Sequence, residues 1–154
     1  MTKAFANPLL ATPARPLPRA VAVIGAGTIG PDIGYYLKSA LPDLKLYLVD
    51  VSQKAIDAAL QRFQDYSKKA VAKGKMSEAD AATVTSNLIG TLDYADIAEC
   101  DWVIEAATEN MALKRKIFAQ IEAVVRPDAL ITSNTSSLPA SQIFAKLQHK
   151  ERAT

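Results

Sequence analysis

The stretch that decides the fold is Ala20-Val21-Ala22-Val23-Ile24-Gly25-Ala26-Gly27-Thr28-Ile29-Gly30. Its apolar first half followed by G-x-G-x-x-G is typical of a buried strand that turns sharply into a helix. In this pattern the first glycine allows the turn, the second lets a pyrophosphate approach the backbone, and the third lets the helix pack against the strand. The helix N-terminus presents N–H groups and a positive dipole to an anion. We therefore predict that residues 25–30, Thr28 and Ile29 included, bind a dinucleotide.

A second apolar run, residues 44–49, ends on Asp50, about twenty residues beyond the last glycine of the motif. A carboxylate at this place accepts hydrogen bonds from ribose hydroxyls and repels an added 2′-phosphate. The next residues, Val51-Ser52-Gln53, contain no arginine that would bind such a phosphate. The pattern therefore predicts NAD, not NADP, as the cofactor. The alternative is a glycine-rich turn in another kind of α/β protein.

The composition is that of an ordinary globular domain: 154 residues, 49% hydrophobic and 22% charged. A net charge of +2, without interleaved aromatic and basic residues, argues against a nucleic-acid partner. No apolar run approaches the ~20 residues that span a bilayer, so no membrane partner is expected. The single cysteine, Cys100, excludes an internal disulfide and suits a reducing compartment, from which we expect a cytoplasmic protein. No metal site is predicted.

The first nineteen residues differ from the rest of the chain. They hold four prolines, several basic residues and no acidic residue. A transit peptide shares the basic bias, but the prolines would interrupt its helix, and no apolar signal-peptide core is present. We therefore expect residues 1–19 to be a disordered leader or linker, and residues 20–154 to form the NAD-binding domain.

Strand and helix patterns alternate along the domain. Strands are predicted at residues 20–24, 44–49, 87–90, 102–107 and 129–132. Helices are predicted at 29–40, from an N-cap at Ser52 to Gly74, from Ser77, after an N-cap at Thr108 or Asn110, and around Ile143 and Leu147. The fourth helix is expected to bury Leu113, Ile117, Ile121 and Val124. This alternation predicts a Rossmann-type α/β fold, a doubly wound parallel sheet with its site at the carboxyl ends of the strands.

Two further segments carry polar residues at those strand ends. Val103-Ile104-Glu105-Ala106 continues into Glu109-Asn110 and Lys114-Arg115-Lys116, and Ser133-Asn134-Thr135-Ser136-Ser137-Leu138 follows the last strand. With the glycine loop and Asp50, they resemble the N-terminal domain of 3-hydroxyacyl-CoA dehydrogenases over nearly all of residues 20–154. The resemblance implies an NAD-dependent enzyme that interconverts 3-hydroxyacyl-CoA and 3-oxoacyl-CoA in fatty-acid β-oxidation or related acyl-CoA metabolism. It also implies a homodimer, formed through a helical C-terminal domain.

The same resemblance assigns roles to individual residues. Glu109 and Lys114 match residues that border the nicotinamide, and Ser136 matches the catalytic hydroxyl that touches the reacting oxygen of the substrate. The alternative for Ser136 is a loop hydroxyl that only satisfies the backbone. Lys73 matches a lysine that meets the coenzyme A phosphates, although a solvated helix face explains its lysine cluster equally well. Tyr66 stands where the family has a serine that contacts coenzyme A.

Two departures from the family pattern affect these expectations. Pro31-Asp32 replaces small residues after the third glycine, and Asp32 adds a negative charge near the pyrophosphate unless its side chain points away. The family continues into a Gly-x-His-Phe-Phe-Asn-Pro segment whose histidine is the general base, and its place falls just beyond Thr154. We expect the lone His149 to be a surface residue and this fragment alone to be inactive. The open alternatives are a dehydrogenase of free 3-hydroxyacids or sugar acids, and a non-catalytic NAD(H)-binding module.

Overall fold

Five parallel strands make up one sheet in the computed structural model, which describes residues 15–154. The strands are β1 (Ala20–Ile24), β2 (Lys45–Val49), β3 (Leu88–Thr91), β4 (Trp102–Glu105) and β5 (Leu130–Ser133). Their order across the sheet is β3-β2-β1-β4-β5. The chain therefore builds outward from β1 in one direction and then in the other, which confirms the predicted doubly wound fold and opens a crevice beside the end of β1.

Three of the five α-helices in the described residues begin with a side-chain cap, from Ser52, Ser77 and Asn110, and the other two begin without one. The helices are α1 (Gly30–Ala40), α2 (Gln53–Ala72), α3 (Glu78–Thr85), α4 (Met111–Val124) and α5 (Ala140–Ile143), with short 3-10 helices at Tyr94–Ile97 and Lys150–Arg152. The Ser52 side chain accepts a hydrogen bond from the Ala55 amide, as predicted. Asn110 caps α4 by accepting from the Leu113 amide, so the cap lies at Asn110 and not at Thr108.

Alternating residues of β1 supply two separate cores. Ala20, Ala22 and Ile24 pack on one face of the sheet with α4 residues such as Phe118. Val21 and Val23 face the other side, with residues of β2 and α2. Because successive strand residues point to opposite faces, a strand that is apolar at every position is buried between two helical layers.

Two details of the helices differ from the expectation. Leu113 is 40% exposed, and Lys114 takes the inward position instead, with Ile117, Phe118 and Ile121. The phase of α4 places Lys114 inside because a buried carboxylate, described below, pairs with it. The last helix, α5, is only four residues long, although Ile143 and Leu147 are both buried as expected.

The expectation of a disordered leader falls mainly on residues 1–14, which lie outside the described residues. Within the described part, the Arg15 guanidinium donates to the Asp128 carbonyl over 2.8 Å, and the Arg19 amide donates to the Asp101 carboxylate over 2.7 Å. Residues 15–19 therefore contact the segments that lead into the amino ends of β4 and β5. Among the described helices, none is both long enough and apolar enough to cross a membrane.

Candidate dinucleotide-binding site

A cleft of about 680 Å³ lies at the carboxyl ends of β1, β2 and β4. This volume is in the range of small-molecule and cofactor sites. Of the residues that the sequence singled out, Gly25, Gly27, Thr28, Ile29, Asp50 and Glu109 line it. Lys73, Lys114 and Ser136 do not, and Gly30 lies behind the loop at the start of α1.

The three glycines of the loop meet different surroundings. Gly25 has a φ of +109°, and an added Cβ would come 2.7 Å from the Ala106 carbonyl oxygen. A Cβ on Gly30 would overlap the carbonyl oxygen of Gly25. A Cβ on Gly27 would have no atom of residues 15–154 within 4 Å, its two chain neighbours aside. Gly25 and Gly30 are therefore required for packing, whereas Gly27 leaves open space that a ligand can approach.

The amides of this loop have no acceptor of their own. Among residues 15–154, the N–H groups of Gly27, Thr28 and Ile29 donate no hydrogen bond to the protein. They stand before the first turn of α1, where the helix dipole also favours negative charge. The open space at Gly27 and these free donors fit the pyrophosphate of a dinucleotide.

Asp50 is held in place by two backbone amides. Its Oδ2 accepts from the Ala26 amide over 2.8 Å, and its Oδ1 accepts from the Ser52 amide over 2.9 Å. Each carboxylate oxygen keeps a free lone pair, so both can still accept from ribose hydroxyls. The carboxylate at the end of β2 is thus tied to the glycine loop, and the two predicted parts of the site form one unit.

Sequence reasoning missed several residues that line the cleft. Val51 and Leu92 are 94% and 51% exposed and present apolar surface beside Asp50. Tyr94 also lines the cleft, and burial, with the nearby charges of Asp50 and Glu105, raises its pKa to about 12. The Tyr94 hydroxyl is therefore protonated at neutral pH. Single exposed apolar residues and a lone tyrosine have no sequence pattern that distinguishes them from ordinary surface residues.

A buried ion pair joins the end of β4 to α4, and a hydrogen bond to the same carboxylate joins β4 to β5. Lys114 Nζ lies 2.6 Å from Glu105 Oε1, with the two side chains 1% and 0% exposed. The Glu105 carboxylate also accepts from the Ala107 amide over 2.6 Å and from Ser133 Oγ over 2.5 Å. Lys114 donates in addition to the Ala107 carbonyl over 3.1 Å. The structure thus places Lys114 behind the wall of the cleft, and its contact with the nicotinamide stays a prediction.

Glu109 brings the serine-rich loop to the mouth of the cleft. Its Oε2 accepts from Thr135 Oγ1 over 2.8 Å and from Ser137 Oγ over 3.3 Å, and its Oε1 lies 3.7 Å from Lys114 Nζ. Ser136, between the two donors, is exposed, and its hydroxyl has no hydrogen-bond partner within the described part of the chain. These contacts leave the Ser136 hydroxyl free to meet a ligand.

Two other residues singled out by the sequence lie away from the cleft. Lys73 is exposed at the C-terminal end of α2. His149 is also exposed, and its nearest charged partner is Glu151, with 3.4 Å between Nδ1 and Oε1. The exposed position of His149 agrees with the expectation of a surface residue.

Comparison with known proteins identifies one matching family and several similar structures. Residues 20–154 match the family described as 3-hydroxyacyl-CoA dehydrogenase, NAD binding domain. The 3-hydroxybutyryl-CoA dehydrogenase of Escherichia coli is 33% identical with a TM-score of 0.85, over 89% of this chain and 29% of that one. The (S)-3-hydroxybutyryl-CoA dehydrogenase of Ralstonia eutropha is 34% identical with a TM-score of 0.83, over 89% of this chain and 48% of that one. FadB2 of M. tuberculosis is 32% identical with a TM-score of 0.82, over 88% of this chain and 47% of that one.

The chain spans less than half the length of each of these three proteins. The match nevertheless covers the strands, the glycine loop and the serine-rich loop described above. The family match confirms the predicted cofactor, NAD. The chain belongs to the NAD-binding domain family of 3-hydroxyacyl-CoA dehydrogenases.

Proposed function

We propose that this chain supplies the cofactor site of an oxidoreductase that interconverts 3-hydroxyacyl-CoA and 3-oxoacyl-CoA. When bound, NAD accepts or returns the hydride of this alcohol–ketone conversion. The loop amides of Gly27, Thr28 and Ile29 bind its pyrophosphate, and Asp50 accepts hydrogen bonds from its ribose. The names of the two similar 3-hydroxybutyryl-CoA dehydrogenases above support an acyl-CoA as the substrate.

The observation that carries the proposal is the junction between Glu109 and the serine-rich loop. Glu109 lines the cleft and accepts hydrogen bonds from Thr135 and Ser137, on either side of Ser136. In the proposal the Ser136 hydroxyl touches the C3 oxygen of the substrate, to which a hydroxyl can donate when the carbon is a ketone. A domain that only bound NAD would have no need to keep this hydroxyl free beside the cleft.

A contact of Lys73 with coenzyme A phosphates, a homodimer, a role in β-oxidation and a cytoplasmic location all stay predictions. So does the division of the chain at residue 20 into leader and domain.

The test begins with calorimetric titration of this chain with NAD and NADP. The product of the complete reading frame that encodes the chain is then assayed with acetoacetyl-CoA and NADH. We expect turnover, and we expect Ser136→Ala to lower kcat by about a hundredfold while NAD affinity is kept. Ser141→Ala, an exposed serine on α5, is the matched control and should leave both unchanged.

NAD binding without turnover of any 3-oxoacyl-CoA would contradict the proposed reaction and favour a free 3-hydroxyacid substrate or a non-catalytic module. An undiminished kcat in Ser136→Ala would remove that residue from the catalytic site.

A further inference from the structure

Arg62, on α2, contacts the glycine loop from the side away from the cleft. Its Nη1 donates to the Gly27 carbonyl over 3.0 Å, and its Nη2 donates to the Thr28 carbonyl over 3.1 Å. The same Nη2 lies 2.6 Å from Asp32 Oδ1 and 3.2 Å from the Tyr66 hydroxyl. The Tyr66 hydroxyl in turn donates to Asp32 Oδ1 over 3.0 Å. One guanidinium thus holds two loop carbonyls and one carboxylate.

These two carbonyls belong to the peptide units whose N–H groups are free. In a planar trans peptide, the C=O of one residue and the N–H of the next point in opposite directions. A donor that binds the Gly27 and Thr28 carbonyls from outside therefore directs the Thr28 and Ile29 N–H groups the other way. Thr28 and Ile29 line the cleft, and their amides have no acceptor in the described residues.

The contacts of Arg62 also explain how the chain accommodates Asp32, which replaces a small residue of the family pattern. This carboxylate lies in the first turn of α1, next to the loop proposed to receive the pyrophosphate, where an unpaired negative charge would oppose an anion. Its pairing with Arg62 and Tyr66 compensates the charge. The planar fork of arginine suits this task, because it can bind several oxygens in fixed directions, whereas lysine is a point charge.

We propose that Arg62 is a positioning residue for the dinucleotide, which it serves by orienting the Thr28 and Ile29 amides toward the pyrophosphate and by neutralising Asp32. This inference rests on the proposed place of the pyrophosphate at the glycine loop. It assigns Tyr66 to the same cluster, as the second donor to Asp32.

The test compares two ligands and four variants of this chain. NAD carries the pyrophosphate, and adenosine carries the ribose and base without it. We expect Arg62→Met to weaken NAD binding by about tenfold in calorimetry, through lost preorganisation, and to leave adenosine binding in an NMR titration unchanged. Lys69→Met removes an exposed cation from the same helix and should leave both affinities unchanged. In the ligand-free Arg62→Met variant, the backbone order parameters of the Thr28 and Ile29 amides, measured by 15N relaxation, should fall because the loop is no longer held.

The role of charge is separated from that of orientation by Asp32→Asn. We expect this single variant to keep its NAD affinity, and we expect the Arg62→Met/Asp32→Asn double variant to stay weak because the loop is still not held. Full recovery in the double variant would overturn the orienting role. Equal losses for NAD and adenosine would show a general loss of structure and would overturn it too. If the unmodified chain does not bind NAD, the proposed function and this inference both fail; if it binds NAD and Arg62→Met binds it equally, only this inference fails.

Discussion

Replacement of Gly27 by alanine tests whether the open side of the glycine loop receives the pyrophosphate. Gly27 is not among the glycines with positive φ, and apart from its chain neighbours no atom of the described residues would lie within 4 Å of an added Cβ. Alanine is therefore compatible with the folded chain. Because it also restricts the unfolded chain, Gly27→Ala should raise the free energy of unfolding by about 0.4–1 kcal/mol.

The same methyl group should obstruct the cofactor. It would stand where a phosphate must approach to accept hydrogen bonds from the loop amides. Hydrogen bonds to a charged group contribute about 1.5–3 kcal/mol, so their loss should weaken NAD binding roughly 10- to 150-fold. The expected outcome is thus a protein that is at least as stable as the parent and binds NAD poorly.

Urea unfolding followed by circular dichroism gives the stability, and calorimetric titration gives the dissociation constant for NAD. Two other glycines supply controls. Gly74 has a φ of +64° and open space, so Gly74→Ala should lose about 1–2 kcal/mol of stability and keep its NAD affinity. Gly30→Ala should destabilise the domain, since its Cβ would overlap the Gly25 carbonyl. If Gly27→Ala is stable and still binds NAD like the parent, the pyrophosphate does not lie at this loop.

Three further outcomes are expected. Asp50→Ala should weaken NAD binding by about tenfold or more in calorimetry without a strong preference for NADP, because it loses the ribose acceptor and no arginine replaces it; unchanged NAD affinity would refute the ribose role. Lys114→Met should cost about 3–5 kcal/mol in urea unfolding, because it leaves the Glu105 carboxylate buried without its partner; adding Glu105→Gln should recover much of this loss, and a fully stable single variant would contradict the argument. Burial, with the charges of Glu99 and Asp101, raises the pKa of the Cys100 thiol to about 12. The thiolate is therefore scarce at pH 8, and iodoacetamide should label the urea-unfolded chain but not the folded one, as mass spectrometry can check.

Features that depend on neighbouring residues could be predicted from the sequence. The glycine loop, the carboxylate at Asp50 and the Ser52 cap each follow from local steric and hydrogen-bonding needs of a few adjacent residues. All three are present in the structure. Local pattern was less reliable for the phase of α4, where Leu113 was expected inside and is exposed. Lys114, the next residue, is buried instead, because it pairs with the Glu105 carboxylate at the end of β4. A pattern of apolar residues cannot indicate a buried lysine.

By itself, the order of residues determined the α/β alternation, the cofactor motif and the family resemblance, because these depend on spacing along the chain. Only the tertiary structure decided that Arg62 contacts the glycine loop, in which Gly27 lies 35 residues earlier in the chain. It also decided that Glu109 contacts the serine-rich loop, in which Thr135 lies 26 residues later. Such partners meet because the parallel sheet brings distant strand ends and helix faces together. An isolated arginine or glutamate in a sequence carries no sign of which distant oxygen or hydroxyl the fold will place beside it.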